Sequence, residues 1–181
     1  MHMTVKDGRR WSTSNAYLKP ALARPNLTVL THAMTRRVLL SGKRATGVEY
    51  ERKGRVHIAH AKSEVLIACG PIGAPHLLQR SGIGPAEVLR KAGVDVLHDL
   101  PGVGENLQDH LQIRAVFKVK GAVTLNTQAN SLWGKAKIGL EYALKRTGPM
   151  SMAPSQLGAF TRSDTSQPHP NLEYHVQPLS L

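Results

Sequence analysis

Several groups in the 181-residue sequence have side chains capable of chemistry, and their spacing decides which could act together. Asp109-His110 is an acid–base pair by residue type, but neighbouring side chains in an extended chain diverge, so Asp109 is expected to serve structure. His57 and His60 lie three apart in an expected strand and point to opposite faces, so they cannot clamp one metal ion. Gly102-Val103-Gly104-Glu105-Asn106-Leu107 opens like a dinucleotide fingerprint, yet Leu107 replaces the last glycine and no strong strand precedes it. Neither a phosphate-cradling Walker loop nor a Gly-x-Ser-x-Gly elbow is present. These residues assemble no complete active site.

A different feature carries more weight. The apolar run Glu64-Val65-Leu66-Ile67-Ala68 ends in the small residues Ala68-Cys69-Gly70, followed by Pro71-Ile72-Gly73-Ala74-Pro75. In an open sheet, ligands bind beyond the carboxyl ends of the strands. Small residues there let backbone approach a bulky group closely. Cys69, at the end of the apolar run, reads as a small buried thiol, and the alternative for the junction is a tight strand-to-helix turn with no ligand.

The elements around this strand end follow from periodicity and turn chemistry. Leu27 to Leu30 reads as a short strand. Arg37 to Leu40, Ala45 to Tyr50 and Val56 to His60 read as strands joined by turns at Ser41-Gly42-Lys43 and Lys53-Gly54. Connections this short force antiparallel pairing, so residues 27 to 68 form a meander feeding a buried strand at 64 to 68. Helices are expected over Ala74 to Arg80 and Ala86 to Ala92, and short strands at Val94 to Leu97 and Leu111 to Val119. Apolar residues from Leu132 to Leu144 recur at helical spacing, and Gly148-Pro149 ends that helix. Met150 to Phe160 reads as a wall or loop, Leu172 to Val176 as a strand, and Trp11 to Ala23 as a short helical or irregular stretch. The fold class is therefore α+β, a mixed α/β chain with an antiparallel meander.

Composition sets outer limits. Hydrophobic residues make up 41% and aromatic residues 4%, thin for a self-sufficient core. The start, from Met1 to Arg10, has no apolar signal-peptide core, and no run is apolar and long enough to span a bilayer. Membrane association is not expected from this segment. One cysteine excludes a disulfide framework and a cysteine-based zinc site, and a cytoplasmic setting is expected. The net charge of +12 raises the alternative of a non-catalytic basic module binding nucleic acid or a protein partner. The basic residues are dispersed and lack interleaved aromatics, so solvated surface is the preferred reading, with no nucleic-acid partner and no metal expected.

From Gly70 to Gly84 the sequence resembles the second signature of the glucose–methanol–choline (GMC) oxidoreductases, with Ala74 where that family usually has Ser or Thr. Lys6 to Ser12, Arg24 to Val29, Ala45 to Glu49 and Leu100 to His110 resemble further family blocks, and Met152 to Phe160 and Tyr174 to Leu181 its substrate domain. The choline dehydrogenase-like, alcohol dehydrogenase branch is the most similar. The resemblance implies an internal piece of a longer FAD-dependent oxidoreductase acting on CH–OH donors, with a small-molecule alcohol as substrate. It implies a partial FAD-binding domain over 1–110 and a partial substrate-binding domain over 111–181. Thr35 would contact the FAD adenine through its backbone, and Ala68, Cys69 and Gly70 would lie beside the cofactor. The family's Gly-x-Gly-x-x-Gly unit and its catalytic histidine have no counterpart here. No catalytic residue is therefore assigned, FAD binding by the chain alone is expected to be weak or nil, and the isolated chain is expected to be inactive.

Overall fold

The computed structural model describes residues 4–153 and 155–180. Met1–Met3, Pro154 and Leu181, which belong to stretches read above, lie outside the described residues. The chain divides into two units, residues Val29–Gln112 and residues Met1–Thr28 with Ile113–Leu181.

The second of these begins with a hairpin of β1 (Val5–Lys6) and β2 (Arg9–Arg10). Asp7 and Gly8 at its tip both have positive φ, 51° and 66°, as a two-residue hairpin turn requires. A wide helical turn over Ser14–Leu18 runs into α1 (Lys19–Ala21), where Pro20 sits in the first turn and needs no N–H.

The Val29–Gln112 unit is built on the meander. Its strands are β3 (Met34–Ser41), β4 (Arg44–Arg52) and β5 (Arg55–His60), paired antiparallel in that order. Val38 stands opposite Val48, and Glu49 opposite Ile58. This part of the sequence reading holds. Leu27–Leu30 and Glu64–Ala68 do not become strands, since nothing pairs with them among the described residues. A strand exists only with a neighbour to share its backbone hydrogen bonds. The apolar composition of 64–68 calls for neighbours on both sides, and in their absence Leu66 is 82% exposed.

Next comes α2 (Gly70–Arg80), four residues earlier than the sequence suggests. Pro71 occupies the first turn, where its missing N–H costs nothing, and Pro75 is carried inside the helix. Beyond it, β6 (Ile83–Gly84) and β7 (His98–Asp99) pair parallel, with α3 (Ala86–Lys91) as the crossover. The strand expected at 94–97 thus lies slightly later, where β6 offers a partner. The buried residues Val38, Leu77, Leu89 and Val103 form the core of this unit, with Ser81 the buried polar member among the described residues.

From Ile113 onward the chain belongs to the other unit. Leu111–Val119, read as a strand, is irregular and exposed, again without a pairing partner among the described residues. A capping box at Thr124 and Thr127 starts α4 (Leu125–Gln128). The longest helix, α5 (Leu132–Lys145), has Ser131 Oγ accepting from Gly134 N at 3.0 Å, and it ends on Arg146 at φ 56°. Its span agrees with the helical periodicity. Met150–Phe160 is not wholly a loop: Leu157–Thr161 is a strand, β8, paired antiparallel with β9 (Leu172–Val176). The observed architecture is mixed α/β with antiparallel sheets, as the sequence indicated.

Candidate functional site

Two elements of the Val29–Gln112 unit hold the candidate residues. Thr35 lies on β3, half-buried, opposite Tyr50. The pairing slips between Thr35 and Arg37, leaving Arg36 as an extra residue in β3. The bulge is held from outside by one carboxylate. Arg37 Nε and Nη2 donate to Glu49 Oε2 at 3.2 and 2.8 Å, and Arg36 Nε lies 3.7 Å from Glu49 Oε1. Tyr50 is fixed in turn by stacking on His57, with ring centroids 5.3 Å apart. That contact gives His57 a packing role.

Ala68, Cys69 and Gly70 form the junction into α2, and all three are exposed. The burial expected for Cys69 is corrected here: with no strand beside 64–68, nothing covers the thiol. Cys69 is the N-cap residue, makes no side-chain cap bond, and is followed by Gly70 at φ 77°. A Cβ at Gly70 would meet nothing within 4 Å, so one side of this junction is open. No acidic residue occurs between Glu64 and Glu87. An open, small-residue junction at the positive end of a helix, within a stretch of sequence free of carboxylates, fits an anionic dinucleotide such as FAD. Donors would be backbone groups, which matches the lack of polar side chains in Ala68–Gly73.

The structure connects the two elements. Val38 N, three residues along β3 from Thr35, donates to Ser81 Oγ at 2.8 Å, and Ser81 lies at the far end of α2 from Gly70. At roughly 1.5 Å per helical residue, Gly70 lies about 16 Å from this joint along α2. At roughly 3.3 Å per strand residue, Thr35 lies about 10 Å from it along β3.

Other groups singled out in the sequence do different work. His110 N donates to Asp109 Oδ1 at 2.8 Å, a contact between neighbours in an irregular, exposed stretch. The Gly102–Gly104 loop buries Val103, whose carbonyl accepts from Gln79 Nε2 of α2 at 3.1 Å. Asp99 Oδ1 accepts from Ala86 N at 2.9 Å and so caps α3 from β7. Sequence reasoning assigned no role to Ser81, Gln79 or Asp99. Each acts across a distance in sequence that local pattern does not report.

The family model for GMC oxidoreductase matches residues 1–112, which take in every candidate residue. The chain belongs to the GMC oxidoreductase family. Among curated GMC relatives, the oxygen-dependent choline dehydrogenase of Paraburkholderia xenovorans is 48% identical over 175 residues, covering 97% of this chain and 31% of that protein. The oxygen-dependent choline dehydrogenase of Photobacterium profundum is 46% identical over 181 residues, covering 100% of this chain and 32% of the relative. The chain thus spans about a third of the length of the curated relatives it matches. A solved fungal aryl-alcohol oxidase superposes with a TM-score of 0.74 at 30% identity, over 85% of this chain and 27% of that one. An FAD-dependent oxidoreductase from Chaetomium thermophilum gives 0.68 at 28% identity, over 80% and 26%. No helix among the described residues is long and apolar enough to cross a membrane.

Proposed function

We propose that this chain is part of an FAD-dependent oxidoreductase that oxidises the CH–OH group of a small alcohol, of the kind named in its choline dehydrogenase relatives. Residues up to about 110 serve FAD binding, and residues 111–181 contribute to the substrate-binding part. The observation that carries the reading is the open junction Ala68-Cys69-Gly70 at the start of α2, within the stretch matched by the family model.

When bound, FAD supplies the hydride acceptor, at flavin N5. The chain's own residues bind and orient. Thr35 offers backbone groups beside the bulge at Arg36, where the Glu49–arginine cluster holds the strand in place. Ala68, Cys69 and Gly70 offer a surface free of bulky side chains, so a ring system can lie against the backbone. None of the nine histidines takes the proton-abstracting position, so the chain by itself turns over no alcohol.

The test is a titration of the purified, isotope-labelled chain with FAD, followed by backbone amide shifts and by the visible absorption of the flavin. Shifts concentrated at Thr35 and at Ala68–Gly70, saturating even at millimolar FAD, support the reading. FAD-dependent shifts concentrated elsewhere in the chain, or a salt-sensitive response to duplex DNA in their stead, overturn it.

A further inference from the structure

Ser81 is the buried polar residue of the Val29–Gln112 unit, at 4% exposure, and its hydroxyl makes two bonds. It donates to Leu77 O at 2.6 Å, one turn back in α2, and accepts from Val38 N of β3 at 2.8 Å. The first bond orients the hydroxyl so that its lone pair faces β3. The second joins residues 43 positions apart. Leu77 and Val38, both buried, pack around it and exclude water. Gln79 adds a tie from the same end of α2 to Val103. The carboxyl end of α2 is therefore clamped, while its first residues, Gly70 to Ile72, are exposed.

We propose that Ser81 is a positioning residue for the dinucleotide: its hydroxyl locks α2 to β3, so that the Ala68–Gly70 junction and Thr35 keep one fixed separation. The inference rests on the FAD reading above and adds a residue that touches no cofactor. A helix clamped only by apolar contacts could slide or rotate on the sheet, because dispersion and burial are not directional. The Val38 N–H to Ser81 Oγ bond fixes register, since a shift of one residue would leave a buried amide without a partner. A ligand that touches only one of the two points is indifferent to the lock, whereas one that spans both depends on it.

The experiment compares wild type, Ser81→Ala and Ser81→Thr by amide-shift titration with FAD and, separately, with AMP as a probe for the Thr35 end. Hydrogen exchange at the Val38 amide reports the lock itself. Ser81→Ala is expected to speed Val38 exchange and to weaken FAD binding about tenfold, the worth of roughly one hydrogen bond, while AMP affinity stays within about twofold. Ser81→Thr, which keeps the hydroxyl, restores FAD binding. Should Ser81→Ala not fold, Ser81→Cys keeps the volume with a weaker donor and acceptor, and carries the same comparison. Unchanged FAD affinity alongside faster Val38 exchange overturns the inference and leaves the FAD reading standing. Equal losses for FAD and AMP also overturn it, since general loosening would weaken both. A wild-type chain in which FAD shifts amides elsewhere but leaves those of Thr35 and Gly70 in place removes the reading and the inference together.

Discussion

Gln79 Nε2 and Gly104 meet so closely that a Cβ on Gly104 would lie 2.8 Å from the amide nitrogen, which itself donates to Val103 O at 3.1 Å. Gly104 also has φ 92°, where an L side chain is strained. Gly104→Ala therefore faces two costs, backbone strain and displacement of the Gln79 amide from Val103. The variant is expected to be destabilised by about 1–3 kcal/mol in a urea titration. Gln79→Ala, which removes the obstruction, should make the glycine substitution less costly in the double variant. Additive effects would show that the contact is not the source.

Cys69 is exposed at the N-cap of α2, so its thiol should react with a chromogenic disulfide reagent in the folded chain. One equivalent per chain is expected to react before any denaturant is added. On the FAD reading, saturating flavin slows that reaction. A thiol that reacts only after unfolding would place Cys69 inside, against the open junction.

What the sequence made legible follows the range of the interactions. The meander was readable because Ser41-Gly42-Lys43 and Lys53-Gly54 are local turn signals that leave only antiparallel pairing. The α5 helix was readable because its apolar residues repeat at helical spacing. The start of α2 was placed four residues late, although the first turn of a helix accepts a proline such as Pro71. Glu64–Ala68 was read as a buried strand because apolar composition states a demand for neighbours and cannot supply them. Ser81 was given no role, since its partner Val38 is 43 residues away. The strand-end motif Ala68–Gly70 was legible as chemistry, and the lock behind it was not.

Asp164 organises the loop between β8 and β9. Its carboxylate accepts from Ser166 Oγ, from Ser163 Oγ at 2.9 Å, from Gln167 Nε2 at 3.3 Å and from Ser166 N at 2.9 Å. These bonds, the Ser166 hydroxyl first among them, lower its pKa from 3.8 to about 2. Because the folded value lies below the ordinary one, the loop's stabilisation is complete above 3.8 and is lost as the pH falls through about 2. A carboxyl-carbon NMR titration should show Asp164 still ionised at pH 3, and Asp164→Asn should abolish the acid-dependent change in the Ser166 amide. An ordinary midpoint near 3.8 would mean that the hydroxyl contacts do not persist in solution.

Gly70 separates backbone strain from ligand access, because a Cβ there meets nothing within 4 Å of the chain. At φ 77°, Gly70→Ala incurs the left-handed penalty alone, about 1–2 kcal/mol, with no clash to add. Gly70→Val adds β-branching to the same strained backbone. If the open side is where FAD lies, both substitutions place carbon in its path, and FAD-dependent shifts at Ala68 and Cys69 should weaken more from alanine to valine than stability falls. Stability and FAD response declining in parallel would mean that the substitution acts only through the start of α2. Loss of the flavin response with stability nearly unchanged would mean that the added carbon occupies the space the isoalloxazine or diphosphate needs.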